Sequence, residues 1–312
     1  MDWISFLSDP NTQWVLSGTI LLGICSGVIG CFAYLRKQSL MGDALAHAAL
    51  PGICVSFMIT GTKSIVGFLI GALIAGVIAT FAIGYITRET RIKQDAALGI
   101  ILTVFFGIGI VLLTKIQHSS YGNQSGLDKF LFGQAAAMIS KDVTIMAIIC
   151  ASLIIVVILF FKEFKLVSFD QGFAKGIGLP IRFLDQFIMF LIVVAVVVGI
   201  QAVGVVLMAA MLITPAVSAR YWTNKLSYMI VLSGFFGGLS GFGGTLISTM
   251  GTNLPTGPLI VLSATAVFIV SVLFAPAKGV IAKARIRRYM KKNTISTSTF
   301  VSMKEMEGGK SS

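Results

Sequence analysis

The run DQFIMFLIVVAVVVGIQAVGVVLMAAMLITPAVSAR, Asp185 to Arg220, carries no charged residue between its two ends. A helix needs roughly 20 apolar residues to cross the hydrocarbon core of a bilayer. The run is therefore too long for one ordinary span and just long enough for two, 185–200 and 202–219, with Gly199 and Gly204 bracketing the turn. Similar apolar stretches lie on both sides. They fall at 14–35, 41–60, 64–87, 96–114 and 142–161 before it, and at 227–249 and 257–277 after it. The expected fold is all-α, a polytopic helical membrane protein with about nine transmembrane helices. Composition agrees: of 312 residues, 56% are hydrophobic and 12% charged, and mean hydropathy is +0.94. The 33 glycines suit the close approach of membrane helices.

A net charge of +12 invites a nucleic-acid reading, but the cations lie in the loops rather than on one face of a soluble domain. With the N-terminus outside, twenty of the 24 lysines and arginines fall on the inner side, including nine from Lys278 onward. Leaving that tail aside, the inner loops still hold eleven basic residues against the outer four: Lys63, Lys115, Lys129 and Lys141. Inner loops are the ones enriched in lysine and arginine, so the expectation is N-out and C-in. The first thirteen residues carry Asp2 and Asp9 and no cation, which is the wrong start for a cleaved signal peptide. Cys25, Cys31, Cys54 and Cys150 lie in or beside apolar segments with no CxxC, so neither a disulfide framework nor a zinc knuckle is expected. Residues 1–280 read as one transmembrane domain. Residues 281–312 read as a cytoplasmic tail, basic through KARIRRYMKK, then rich in serine and threonine and disordered. The basic part suits anionic lipid heads.

Two connections exceed a turn. The outer one, Lys115 to Lys141, contains the polar tip HSSYGNQSG and then LDKFLFGQAAAMI, read as a short interfacial helix. His118, in the polar tip, reads as a solvated histidine. The inner connection, Lys162 to Leu184, is broken by Gly176, Gly178 and Pro180. Within it, Ser168 to Lys175 fits two helical turns capped at Ser168 or Asp170. Phe169 and Phe173 are four residues apart, a spacing that places both on one helix face. A short helix on the cytoplasmic side is either a docking element for a soluble partner or an ordinary connector.

The chemistry-bearing stretch is MGDALAHAALPG, Met41 to Gly52. Asp43 and His47 are four residues apart, hence one turn apart on one helical face. Ionisable side chains inside a span are costly and usually face a cavity or a partner. This pair can offer a carboxylate oxygen and a ring nitrogen to a divalent cation. The residues alone leave a second reading open: Asp43 as a helix cap and His47 as a hydrogen-bonded interior histidine. Cys54 lies on the same face as His47 but roughly 10 Å along the axis, too far to share a metal.

Some chemistry is absent from the sequence. The sole Gly-Lys pair, Gly309–Lys310, has Lys304 where a P-loop needs glycine, so the chain does not bind ATP by that motif. H-E-x-x-H and G-x-S-x-G are missing, and no arginine repeat marks a voltage sensor. A lone secondary metal transporter or channel, or a membrane enzyme using Asp43 and His47 as an acid–base pair, remain as alternatives. The enzyme reading lacks a nucleophile nearby in sequence.

These residues resemble the ABC-type manganese/zinc/iron permease family. The resemblance rests on SLMGDALAHAALPG (Ser39–Gly52), FDQGFAKGIGLP (Phe169–Pro180), QAVGVVLMAAMLITPAVSAR (Gln201–Arg220) and NLPTGPLIVL (Asn253–Leu262), in that order, and covers about residues 14 to 280. It implies a fold like that of the type II ABC importers and a multi-pass place in the bacterial cell membrane. It implies a permease dimer, of one chain or of paralogues, engaged by two cytoplasmic ATPase subunits and fed by an extracellular metal-binding lipoprotein. No permanently bound cofactor is implied, only a transported divalent metal, and ATP hydrolysis belongs to the partner. Asp43 and His47 match the family's metal-coordinating residues. Phe169, Asp170, Phe173, Ala174 and Gly178 fall in the segment that couples to the ATPase. Hard carboxylate with imidazole suits manganese, iron or zinc. The MLITP form at Met211–Pro215 is more like the manganese members, so manganese is favoured over zinc and iron. Hydropathy puts Asp43 only six residues after Lys37, in the inner half of the membrane, whereas the resemblance implies a site nearer the centre.

Overall fold

The computed structural model describes residues 10–61, 64–118, 138–250, 254–276 and 278–283. Eleven helices and no strand occur among them: α1 (Pro10–Leu35), α2 (Met41–Thr60), α3 (Ile65–Glu89), α4 (Gln94–Gln117), α5 (Ser140–Leu159), α6 (Phe161–Phe169), α7 (Gln171–Gly176), α8 (Ile181–Val203), α9 (Val205–Trp222), α10 (Leu226–Met250) and α11 (Thr256–Phe274). The expected outer interfacial helix, apart from its last residues Met138 and Ile139, and the tail beyond Lys283 lie outside the described residues.

Eight helices among the described residues are long and apolar enough to cross a membrane. The remaining long one is α9, whose 18 residues span about 27 Å at 1.5 Å per residue. It begins where α8 ends, at Gly204, whose φ of +90° is a backbone conformation that glycine adopts without steric cost. A Cβ on Gly257, at the start of α11, would lie 2.9 Å from the Val203 carbonyl, and Tyr221 packs edge-on against Phe268 near the other end of α11. So α8 and α9 form a sharp hairpin, and the uncharged run is two helices, as its length demands. The sixth expected span starts earlier than Asp185. Pro180 precedes the first turn of α8, where its missing N–H costs nothing.

The packing is built on α1, 72% of whose membrane window is enclosed, against 22% for α11. Its closest partner is α10. A Cβ added at Gly23 would strike the Gly237 carbonyl, and one at Gly27 the Ser233 carbonyl, so the two backbones meet with no side chain between them. Inside a bilayer no hydrophobic effect drives helices together, so such close approach and interhelical hydrogen bonds carry the association. Ser233 Oγ donates to the Gly27 carbonyl at 2.7 Å, and the Thr19 and Thr245 hydroxyls lie 2.8 Å apart. The α2–α3 contact repeats the device: Gly52 meets the Gly71 carbonyl, and Ser56 Oγ donates to the Gly67 carbonyl at 2.7 Å.

Outward faces are apolar. Ile70, Ile74 and Ile78 form an exposed stripe along α3, the reverse of what water would tolerate and what lipid requires. At the basic end, Arg36, just past α1, forms an ion pair with Asp185 in the first turns of α8. Asp185 is the one acidic residue of the first half of the hairpin, and it anchors that hairpin to the central helix.

Candidate metal pathway and coupling segment

Helix α2 packs on α3, α4, α8 and α9 and buries Met41, Gly42, Ala44, Leu45, Ala46 and most of its remaining length. Two residues of its first turns are not enclosed: Asp43 and His47. The Asp43 carboxylate Oδ1 lies 3.5 Å from His47 Nε2, with Asp43's side chain 40% exposed and His47's 19%. The helix begins after Leu40 with no side-chain cap, so Asp43 is not spent on capping. His47 Nδ1 is buried and has no hydrogen-bond partner. Its ring meets Phe106 of α4 edge-on, centroids 4.8 Å apart. Pro51 lies one turn further along α2 and has no N–H, so the His47 carbonyl lacks its usual helical donor. One carboxylate, one imidazole and one under-used carbonyl thus gather on two turns of α2.

Cys54 takes no part. Its thiol donates to the Gly109 carbonyl of α4 at 3.7 Å and so is engaged away from the pair. All four cysteines are buried and free. His118 is exposed at the end of α4, its Nδ1 2.9 Å from the Thr114 carbonyl. Among the described residues no three His, Cys, Asp or Glu side chains come together as a metal cluster. Asp43 and His47 thus stand as a pair, with no third side chain of these types beside them among the described residues.

The inner connection folds as two short helices rather than one. The chain breaks at Asp170, whose side chain accepts from the Phe173 N–H at 2.9 Å and so caps α7. Phe169 ends α6 and Phe173 lies on α7, so they share no single helix face, but both are more than half exposed. Ala174 is fully buried in the chain's own core. Gly178, at φ +83°, turns the chain out of α7 toward α8. The resemblance pointed to Asp170, Ala174 and Gly178, and helical spacing to Phe169 and Phe173. Of the two caps the local sequence offered, Ser168 and Asp170, the structure uses Asp170; the inward turn of Ala174 could not be read from spacing, because it depends on what the segment packs against.

A bundle with nine long apolar helices among the described residues, an acid–imidazole pair on an open face of its second helix and a broken helical segment at its basic end has the form of a class, the multi-pass permeases of the cell membrane. Within it, the chain belongs to the ABC 3 transport family, whose model matches residues 8–275. It is 56% identical over 290 residues to the manganese transport system membrane protein MntC of Bacillus subtilis (strain 168), covering 92% of this chain and 66% of that relative's length. The zinc transport system membrane protein TroC of Treponema pallidum (strain Nichols) is 45% identical over 281 residues, 90% of this chain and 94% of that one. PsaBC from Streptococcus pneumoniae, solved in complex with Fab, has the same fold with a TM-score of 0.78 at 36% identity, covering 88% of this chain and 96% of that one.

Proposed function

We propose that this chain is the membrane subunit of an ATP-driven importer that carries a divalent transition metal ion, manganese in the first instance, into the cytoplasm. The carrying observation is the Asp43–His47 pair on α2, with no competing cap, no thiolate and the second imidazole nitrogen buried. Carboxylate, imidazole and carbonyl suit manganese, which binds more weakly than the later divalent metals at a given site. Weak binding is an advantage in a pathway, where the ion must be accepted and then released. The zinc reading is the second choice, supported by the likeness to the Treponema protein. Iron and a stand-alone secondary transporter come after it.

Two copies of this chain, or this chain with a paralogue, pair so that a second Asp–His set completes the coordination shell. ATP hydrolysis is supplied by cytoplasmic ATPase subunits, since the sequence has no P-loop. The exposed Phe169 and Phe173 beside the Asp170 cap form the surface that receives the ATPase stroke, and Gly178 lets that segment lie flat at the end of the bundle. An extracellular metal-binding lipoprotein delivers the ion. The excess of basic residues in alternate loops supports N-out and C-in. The test is ATP-dependent uptake of manganese by proteoliposomes holding this chain, its ATPase and a binding protein. Uptake that runs without the ATPase would overturn the importer reading, and faster zinc than manganese uptake would reverse the order of metals.

A further inference from the structure

An open cleft of about 420 Å³ runs between α3 and α8. Most of its wall is apolar: Val77 and Phe81 on α3, and Phe183, Phe187, Phe190 and Val193 on α8. Phe81 and Phe183 are 61% and 62% exposed, so their rings face out of the bundle. The two helices close on each other at Gly76, where an added Cβ would lie 2.6 Å from Val193 Cγ1. The hydroxyl of Thr80 donates to the Gly76 carbonyl at 2.8 Å and asks nothing of the cleft. At the opposite, basic end stand Arg88 of α3 and Arg182 of α8, both exposed. No carboxylate lines the cleft, and among the described residues neither guanidinium has an ion pair within the chain. Asp185, near Arg182 on α8, is held by Arg36.

The length of the cleft says what fits it. From Val77 to Arg88 the helix rises about 16 Å at 1.5 Å per residue, and Arg182 to Val193 covers the same distance on α8. One leaflet's share of the hydrocarbon core is about 15 Å. The cations therefore stand at headgroup level when the apolar length lies among the chains. A soluble partner would reach the arginines but not the phenyl rings. A second copy paired about an axis along the membrane normal would bring this face to itself, with four guanidinium groups together and no cleft carboxylate among them. A neutral lipid covers the rings and leaves the two cations without a counter-charge. An anionic phospholipid meets both ends. Its phosphate oxygens accept from two guanidinium forks, the pairing that arginine geometry favours, and its chain makes dispersion contacts along the rings.

We propose that this cleft is a site for one anionic phospholipid of the leaflet at the basic end, its phosphate held by Arg88 and Arg182 and one acyl chain laid along Phe81, Phe183 and Phe190. Basic pockets between membrane helices take anionic headgroups in this way. The lipid ties α3 to the first turns of α8. The site is independent of the metal reading, because it shares no residue with the Asp43–His47 pair or with the segment from Phe169 to Gly178.

The test is native mass spectrometry of the full chain, released from vesicles of phosphatidylcholine and phosphatidylglycerol, with the retained lipids counted. The cleft variant is Arg88→Gln/Arg182→Gln. The control variant, Arg91→Gln/Lys93→Gln, removes the same charge from the loop after α3. All four side chains are exposed, so folding is undisturbed. The expected result is about one phosphatidylglycerol per chain in wild type and control, with phosphatidylcholine not retained. In the cleft variant, affinity for phosphatidylglycerol should fall at least about tenfold, as loss of hydrogen bonds to a charged group requires. Equal retention in wild type and cleft variant would overturn the proposal. An equal loss in the control variant would reduce the arginines to a diffuse positive surface and overturn it too. Release of the lipid by millimolar glycerol phosphate would mean that the acyl chain contributes nothing and the cleft is not the site. Phe183→Cys chains joined in high yield by a short bismaleimide, with no lipid retained, would give this face to a second copy instead.

Discussion

His47 stands one helical turn from Asp43 with 3.5 Å between ring nitrogen and carboxylate oxygen, while its other nitrogen is buried without a partner. That separation is longer than a good hydrogen bond. The two groups share a face of α2 without satisfying one another, which leaves a carboxylate and an imidazole for the metal ligation proposed above.

Asp43→Ala and His47→Ala should each reduce manganese uptake by more than the roughly tenfold lost when a mere outer-shell partner is removed. Membrane insertion and thermal stability should stay near wild type, because neither side chain is enclosed in the core. Uptake under limiting manganese, measured beside a melting curve, checks this. Wild-type rates in both variants would make the pair structural.

The Arg36–Asp185 ion pair should matter for stability in an asymmetric way. Asp185→Ala leaves a guanidinium that is 7% exposed without its partner and should cost about 3–5 kcal/mol. Replacing both residues by leucine should recover most of that loss. Denaturation in mixed micelles measures the cycle. A single variant as stable as the double one would remove the pair from the argument.

Gly23→Val places a branched side chain against the Gly237 carbonyl. The α1–α10 contact would have to open, at about 1–3 kcal/mol from overpacking alone. Gly99→Val, where no atom lies within 4 Å of the added Cβ, is the control and should be nearly neutral. Equal melting temperatures for the two variants would contradict the packing described.

The coupling segment is best probed at an exposed position. Phe173→Glu should abolish retention of the ATPase in a pull-down and with it ATP-dependent uptake, while the permease still melts normally. Ala174→Glu should instead lower the melting temperature, because a carboxylate would enter a fully buried site. If Phe173→Glu binds and transports as wild type does, docking falls to the loop between α3 and α4.

Topology can be read by labelling. Cysteines placed at Thr60 and Thr90, both exposed and at opposite ends of α2–α3, should react from outside and from inside respectively. The four native thiols are buried and give little background. The opposite pattern would reverse the orientation.

Much of the protein was legible before any tertiary contact was known. Hydrophobic length alone separated nine helices, because a membrane span must satisfy its own backbone and must be about as long as the bilayer is thick. Even the turn inside the uncharged Asp185–Arg220 run followed from length and from Gly204. The Asp43–His47 pair was legible because helical period and the rarity of ionisable residues in lipid are both local properties. Other features were decided only in three dimensions. The meeting of Gly23 with Gly237 and the burial of Ala174 depend on which helices face which. So does the pairing of Arg36 with Asp185, 149 residues apart, and so does the cleft that Arg88 and Arg182 line together. Sequence period reports the face on which a residue lies. What that face touches is set by the packing of the whole bundle.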